Sequence, residues 1–272
     1  MELTGLDATI LVRVFAYESN PPDDLICDGT IFQSLWSKKK NIYLGMKMNN
    51  FETTILNAPN PELFNKNDKK SFVKHQKIKL IATSWSSNMK KGFEVYRWMD
   101  ENLDFTKYEM TFVGNSPFKF KNIILKEPMD SESLASELKN HDIFITASQS
   151  DPCSNSLIEA IHCGLPALGL DDGGHTEIIS RGGEVFRASS EIAQKLDLIV
   201  NNYVEYQKNI NLPIIDEVGE LYFGFLKKIY DEKEDDYKPK NPTFFDYIQI
   251  KIYLVSWKLL ERYYLLKSFF TR

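Results

Sequence analysis

From Lys77 onward, short apolar runs alternate with longer stretches in which apolar residues recur at helical spacing. The first pattern predicts buried strands and the second predicts amphipathic helices. Strands this apolar, separated by helices, are typical of a parallel sheet that is covered on both faces. The predicted strands are 78–83, 109–113, 123–125, 143–146, 167–170 and 184–186, and the predicted helices are 93–102, 132–140, 156–163, 176–180 and 191–202. We therefore expect a Rossmann-like α/β domain over residues 77–230.

The chain before this domain carries strand and helix signals over a much shorter length. About 60 residues are too few for a doubly wound sheet, so residues 1–60 are interpreted as the remnant of a truncated N-terminal α/β domain. Two prolines in Asn57-Ala-Pro59-Asn-Pro61 interrupt the pattern, and the polar residues 61–76 are predicted to be a linker. Within the remnant, strands are predicted at 8–14, 29–33 and 53–56 and a helix at 34–44.

Two segments follow the predicted domain. An acidic run at 231–236 precedes two prolines, so residues 231–243 are predicted to be a solvated linker. Residues 244–272 have a helical pattern that is rich in aromatic, leucine and basic residues. This C-terminal helix either packs on the body of the protein, which we favour, or lies on anionic lipid as an interfacial helix.

Composition excludes several classes of function. A net charge of -5 argues against a nucleic-acid binder, which would carry a basic excess. Three cysteines without CxxC spacing predict no disulfide framework and no zinc site. The N-terminus has no signal-peptide pattern and no run reaches about 18 apolar residues, so we expect a cytoplasmic protein. Neither a dinucleotide-binding glycine motif nor a P-loop occurs in the sequence.

The most informative stretch runs from Asp151 to Pro166, where the predicted strand 143–146 leads through a polar loop into a helix. One explanation of its two carboxylates is helix capping. Asp151 would be an N-cap with Pro152 at the first helical position, and Ser156 and Glu159 would form a capping box. Either arrangement stabilises a helix by about 1 kcal/mol without any ligand.

A second explanation of the same stretch is ligand binding. The backbone N–H groups and hydroxyls of Ser154, Asn155 and Ser156 lie at the positive end of the predicted helix, which suits a diphosphate. Carboxylates accept strong hydrogen bonds from sugar hydroxyls. Glu159 could therefore accept hydrogen bonds from a ribose diol, and Asp151 from a hexose.

Three linked motifs carry a resemblance to a known family. They are Asp151-x7-Glu159-Ala, Cys163-Gly164-Leu-Pro166 and Gly173-Gly174-x-x-Glu177. As a set they resemble the donor-site signature of retaining GT-B glycosyltransferases of family 4, the glycosyl transferases group 1, over roughly residues 55–230. That family usually has glutamate where this chain has Asp151. The resemblance implies the C-terminal half of a GT-B fold that lacks most of its N-terminal domain.

The resemblance also implies roles for further residues. Lys91 would neutralise the donor diphosphate and stabilise the leaving nucleotide. Lys90 and Lys91 could instead be solvated lysines at a helix start, but cations there oppose the helix dipole, which favours the functional interpretation. The family has an arginine where this chain has Trp85, for which Lys90 or nearby serine hydroxyls could substitute. Without the resemblance, Gly173-Gly174 is only a turn and His175 is expected at the surface, while His141 and His162 are expected in packing positions. The remaining implied donor-binding residues are Gly92, Gly114, Asn115, Gly173 and Gly174.

The function implied by the resemblance is retaining, metal-independent transfer of a sugar from a nucleoside diphosphate sugar to a glycan or lipid-linked acceptor. No metal site and no cofactor are expected. Two partners are left open, namely a membrane contacted through residues 244–272 and a separate chain that supplies the missing N-terminal half. Two other functions are also left open, a catalytically silent nucleotide-sugar-binding module and a GT-B sugar-nucleotide epimerase.

Overall fold

The computed structural model describes residues 12–15, 27–43, 46, 50–74 and 76–232. The chain divides into two compact units, the first formed by residues 1–55 and 219–272 and the second by residues 56–218. The first unit contains a three-stranded parallel sheet in the order β1-β2-β3. Its described elements before residue 56 are β1 Val12–Phe15, β2 Gly29–Phe32, α1 Leu35–Tyr43 and β3 Glu52–Thr54.

The second unit is built on a six-stranded sheet in which all neighbouring strands are parallel. The sheet confirms the predicted Rossmann-like architecture. Its strands are β4 Ile78–Ser84, β5 Tyr108–Gly114, β6 Ile124–Lys126, β7 Ile143–Thr146, β8 Ala167–Leu170 and β9 Gly183–Phe186. Its helices are α2 Phe93–Asn102, α3 Ser131–Lys139, α4 Asn155–His162, α5 His175–Ile179, α6 Ile192–Asn201 and α7 Tyr203–Lys208.

Two hydrophobic clusters cover the two faces of this sheet. Leu80 and Ala82 of β4 belong to one cluster and Ile81 to the other, as the alternation of side chains along a strand requires. The first cluster includes buried residues of α2 and α6, and the second includes buried residues of α3, α4 and α5. Each fully buried aliphatic or aromatic side chain contributes roughly 1.5–3 kcal/mol to folding.

The strand order places a crevice in the middle of the sheet. The order is β6-β5-β4-β7-β8-β9, so the chain moves outward from β4 to β6 and then returns to β7 on the other side of β4. The connections that leave β4 and β7 therefore run in opposite directions. Such a reversal is where open α/β sheets bind ligands, beyond the carboxyl ends of the strands.

Helix α8, Ile215–Glu232, begins in the second unit and ends in the first. Within the first unit, Phe225 and Ile229 are buried beside β2. A Cβ atom at Gly29 would lie 2.5 Å from Cδ1 of Ile229 and 3.0 Å from the ring of Phe225. The glycine at the start of β2 therefore allows the end of α8 to approach the strand closely.

The structure differs from the sequence predictions around the second unit. The predicted linker 61–76 lies inside that unit, because the buried Phe64 packs into its second cluster. The prediction assigned no helix to α7 or α8, and the structural division falls after Val218 instead of residue 230. Helix α8 also includes the first two residues of the predicted acidic linker.

Most of that linker and the whole predicted helix 244–272 lie outside the described residues, as does most of the predicted strand 8–14. Among the helices that the structure describes, none has the length and apolar character needed to cross a membrane.

Candidate functional site

A cavity of about 400 Å³ lies at the carboxyl ends of β4, β5 and β7 in the second unit. It is lined by seven of the residues that the sequence singled out for a ligand, together with apolar and hydroxyl side chains. The predicted residues in the lining are Lys91, Gly114, Asp151, Ser154, Asn155, Ser156 and Glu159.

Lys91 and Asp151 form an ion pair in this cavity. The Lys91 Nζ lies 3.2 Å from Oδ2 of Asp151, with the lysine side chain 38% exposed and the aspartate side chain 15% exposed. Lys91 follows β4 and Asp151 follows β7 along the chain. The pair therefore joins the two loops on either side of the strand-order reversal.

A short 3-10 turn, Met89–Lys91, orients Lys91. The Asn88 side chain caps this turn by accepting a 2.9 Å hydrogen bond from the Lys90 N–H. Gly92 then has a left-handed φ of 85°, and a Cβ there would lie 2.3 Å from the carbonyl oxygen of Ala147. Only glycine fits where this turn meets the end of β7.

The loop that carries Asp151 is fixed by backbone contacts. The Gln149 N–H donates to the carbonyl of Lys90 at 2.7 Å, and the Gly174 N–H donates to the carbonyl of Asp151 at 2.8 Å. Gly173 has a φ of 65°, and a Cβ there would lie 2.2 Å from the Asp151 carbonyl oxygen. The diglycine turn therefore supports the backbone of Asp151.

Helix α4 directs its N-terminus toward the same cavity. Ser154 is its N-cap residue, and the side chain of Ser154 makes no capping hydrogen bond. The Ile158 N–H bonds to the Ser154 carbonyl, so the amides of the preceding first turn have no partner within the helix. Their location in the lining gives the cavity a partial positive charge.

This arrangement overturns the capping interpretation of the two carboxylates. Asp151 does not cap α4, because the helix begins only after Ser154 and the Asp151 carboxylate bonds to Lys91. Ser156 lies inside the helix and not at its N-cap, so it cannot form the predicted capping box with Glu159.

Glu159 lies one turn into α4, is half-buried and lines the cavity. Burial raises the pKa of the Glu159 carboxyl to about 7, because a buried carboxylate loses hydration. A smaller adjoining cavity, lined by Asn57, Pro59 and Ile158 among others, also borders Glu159.

Five predicted residues lie outside the cavity lining, namely Lys90, Gly92, Asn115, Gly173 and Gly174. All except Asn115 contribute through the backbone contacts described above, which hold the loops around the cavity. Asn115 acts through its side chain, which donates a 2.7 Å hydrogen bond to the carbonyl of Trp85. The Lys90 side chain is exposed.

The sequence profile described as Glycosyl transferases group 1 matches residues 64–211, more than half of the 272-residue chain. The chain belongs to this family. No curated protein matches it.

Solved structures agree with the family in fold. Sucrose-phosphate synthase from Thermosynechococcus elongatus superposes with a TM-score of 0.61 at 14% identity, covering 76% of this chain and 59% of that one. A glycosyltransferase from Rickettsia africae superposes with a TM-score of 0.62 at 13% identity, covering 80% of this chain and 70% of that one. Anabaena HepE, in complex with UDP and glucose, superposes with a TM-score of 0.60 at 14% identity, covering 81% of this chain and 71% of that one. The chain thus has the GT-B glycosyltransferase fold and spans 59% of the sucrose-phosphate synthase chain.

Sequence reasoning missed one wall of the cavity in this member of the group 1 family. The missed wall is apolar and contains Val113, Pro128, Met129 and Leu134. Pro128 and Met129 follow β6, so the rule that ligands bind beyond strand ends could have identified them. Trp85, where the family resemblance predicts arginine, lines the cavity with 69% of its surface exposed.

The remaining missed lining residues are Thr83, Ser148 and Cys153, whereas Ser84 and Ser86 belong to the serines that were predicted as possible substitutes for the absent arginine. Burial raises the pKa of the Cys153 thiol to about 11, so this cysteine is protonated at neutral pH.

His175 and His141 are buried and contribute to packing. His175 was expected at the surface, but it is fully buried, with Nδ1 3.0 Å from the carbonyl of Leu170. Burial lowers the pKa of His175. His141 is buried as predicted and contacts the Glu137 carbonyl and the Thr111 hydroxyl. Within the described parts of the chain, no group of three His, Cys, Asp or Glu side chains could hold a metal ion.

Proposed function

We propose that this chain binds a nucleoside diphosphate sugar in the 400 Å³ cavity and transfers the sugar, with retention, to a glycan or lipid-linked acceptor. The supporting observation is that Lys91, Asp151, Glu159 and the N-terminus of α4 line one cavity at the strand-order reversal. This combination supplies positive charge for a diphosphate and carboxylates for two sugar rings.

The diphosphate would be held by the Lys91 ammonium and the first-turn amides of α4. Negative charge grows on the leaving diphosphate as the glycosidic bond breaks. Positive groups that are already in place stabilise this charge without reorganisation. We assign no metal and no side-chain base to the reaction; a diphosphate oxygen would assist deprotonation of the acceptor on the same face of the sugar.

The ion pair between Lys91 and Asp151 would change when the donor binds. A diphosphate is a stronger partner for the ammonium than one half-buried carboxylate, because it offers several anionic oxygens. Lys91 would then turn toward the phosphates, and Asp151 would accept a hydrogen bond from a hydroxyl of the transferred sugar. Donor binding would thus replace the ion pair with two charge-assisted contacts, one from Lys91 to the diphosphate and one from a sugar hydroxyl to Asp151.

Glu159 would accept hydrogen bonds from the ribose diol. Such bonds favour the ionised carboxylate, so donor binding would lower the raised pKa of Glu159. The apolar wall of Val113, Pro128, Met129 and Leu134 offers a surface for the flat face of the base.

Uridine diphosphate sugars are the first donors to test. Anabaena HepE is described in complex with UDP-glucose, and the pneumococcal O-GlcNAc transferase GtfA in complex with UDP and GlcNAc. Each superposes on this chain with a TM-score above 0.5 at no more than 16% identity.

A second candidate is a nucleotide-sugar-binding module that is catalytically silent by itself. The described sheet of the first unit has three strands, against six in the second unit. In this case a separate chain would complete the acceptor side, and the donor would bind without being consumed.

A thermal-shift and hydrolysis screen against UDP-, GDP- and ADP-sugars separates the candidates. Binding that is lost in Lys91→Ala and Glu159→Gln, but retained in Lys90→Ala, supports the donor site. Turnover in addition supports the transferase, and NMR of the product anomer then tests retention. Binding without turnover supports the module, and no binding to any donor would contradict both candidates.

A further inference from the structure

Asp172 lies in the turn between β8 and α5, and its carboxylate joins two loops. One oxygen accepts a 3.0 Å hydrogen bond from the N–H of Ser150, and the other accepts a 2.7 Å bond from the N–H of Gly173. Ser150 belongs to the loop after β7 that carries Asp151. A single side chain outside the cavity lining therefore connects that loop to the diglycine turn.

The hydrogen bond from Ser150 to Asp172 holds a residue with an unusual backbone conformation. Ser150 has a left-handed φ of 54°, which is unfavourable for a residue with a Cβ atom. An acceptor that is fixed opposite its N–H group can hold Ser150 in this conformation. The Asp172 carboxylate supplies that acceptor with a negative charge, which strengthens the hydrogen bond.

The same loop is held on its other side by the turn that carries Lys91. Gln149 donates its N–H to the Lys90 carbonyl, and Gly92 lies against Ala147. The Asp151 loop is thus fixed between the Lys91 turn and the Asp172 turn. Asp172 thus holds the residue directly before Asp151, the residue whose carboxylate pairs with Lys91.

We propose that Asp172 is a positioning residue, which holds the Asp151 loop so that the Asp151 carboxylate faces the donor sugar. Its part in sugar recognition rests on the proposed function. Its part in ordering the loop does not, and it can be measured without any ligand. Asp172 makes no contact with the donor in this proposal, because it lies outside the cavity lining.

Hydrogen exchange of the ligand-free full chain tests the ordering of the loop. In Asp172→Ala, the Ser150 amide loses its acceptor, and exchange in peptides covering residues 147–152 should become at least about tenfold faster. Asp171→Ala is the matched control, because the neighbouring Asp171 carboxylate bonds to Thr176 and Arg187 instead. Unchanged exchange over 147–152 in Asp172→Ala would overturn the proposal.

Binding of UDP-glucose and of UDP tests sugar recognition. Asp172→Ala should weaken UDP-glucose binding about tenfold and leave UDP binding unchanged, because UDP lacks the sugar that Asp151 would contact. In an Asp151→Asn background, Asp172→Ala should cause no further loss. In the otherwise wild-type chain, Asp172→Asn should weaken UDP-glucose binding less than Asp172→Ala does, because it keeps one acceptor oxygen.

Two other outcomes have distinct meanings. Equal loss of UDP and UDP-glucose binding would show a general structural defect and would overturn the positioning role. If the wild-type chain binds neither probe, nor the corresponding GDP and ADP pairs, the proposed function fails. The exchange experiment then still decides whether Asp172 orders the loop.

Discussion

The Lys91 Nζ lies 3.2 Å from Oδ2 of Asp151, although 60 positions separate the two residues in the chain. The contact arises from the topology of the sheet. Lys91 follows β4, and Asp151 follows β7, which pairs directly with β4. A cation and a carboxylate are thereby placed in one crevice next to the N-terminus of α4, and the proposed donor chemistry depends on this arrangement.

Replacement of Lys91 by alanine should lower turnover of the donor by about 10²–10³-fold, because it removes the charge that stabilises the leaving diphosphate. The melting temperature should change little, since a partly exposed ion pair contributes roughly 0–1 kcal/mol to stability. Steady-state kinetics and calorimetry measure the two effects.

Lys90→Ala is the matched control for this prediction. The Lys90 side chain is exposed and lies outside the cavity lining, and the backbone carbonyl that it uses is retained in the variant. Equal losses of turnover in the two variants would contradict the role assigned to Lys91.

Glu159 should make the stability of the fold depend on pH. Burial raises its pKa from 4.5 to about 7, so between these values the folded state binds more protons than the unfolded state. The free energy of unfolding should therefore fall as pH rises from about 4.5 to 7. Glu159→Gln removes this titration, so the variant should gain stability relative to wild type at pH 8 but not at pH 4.

Chemical denaturation at several pH values measures this difference. Glu137→Gln serves as a control, because Glu137 already bonds to Lys126. A stability difference between wild type and Glu159→Gln that does not vary with pH would show that the Glu159 carboxyl titrates normally.

Substitution of Gly173 by alanine should disturb the site and the fold together. The new Cβ would lie 2.2 Å from the Asp151 carbonyl oxygen, and the left-handed φ of 65° is unfavourable for alanine. We expect destabilisation of about 1–3 kcal/mol, together with weaker donor binding.

Gly219→Ala should have the opposite effect on stability. Gly219 lies in α8, and a Cβ there would have no neighbour within 4 Å. Alanine should stabilise this helix by about 0.5–1 kcal/mol. Thermal unfolding of Gly173→Ala and Gly219→Ala measures these two opposite changes in stability. A Gly173→Ala variant that is as stable as wild type and binds the donor normally would contradict the support that Gly173 gives to Asp151.

Trp85 should report donor binding by fluorescence. Trp85 is 69% exposed and lines the cavity, so a bound nucleotide should quench its emission. The quenching should disappear in Trp85→Phe and persist in Trp98→Phe, whose side chain packs against the core instead. Full quenching in Trp85→Phe would place the nucleotide away from Trp85.

The sequence predicted the central sheet well because buried parallel strands are continuous apolar runs. The bounds of β7, β8 and α2 agree with their predictions to the residue. Helix α8 was not predicted although the sequence carries a signal for it. The buried residues Val218, Phe225 and Ile229 recur at helical spacing and form one apolar face.

The candidate site was predictable only in part. Lys91, Asp151 and Glu159 could be identified from linked motifs, and they line one cavity; their roles remain predictions. The capping interpretation of Asp151 was wrong because α4 begins only after Ser154 and the Asp151 carboxylate bonds to Lys91, which lies 60 positions away. Contacts such as Asp172 to Ser150 join distant segments, and a local pattern carries no signal for them.

A crystal structure of the full chain with a bound nucleoside diphosphate sugar would test the donor site most directly. The account predicts the diphosphate within hydrogen-bonding distance of Lys91 Nζ and the first-turn amides of α4, with the ribose hydroxyls on Glu159 and a hydroxyl of the transferred sugar on Asp151. A diphosphate bound elsewhere, with the ion pair between Lys91 and Asp151 intact and the cavity without ligand, would contradict it.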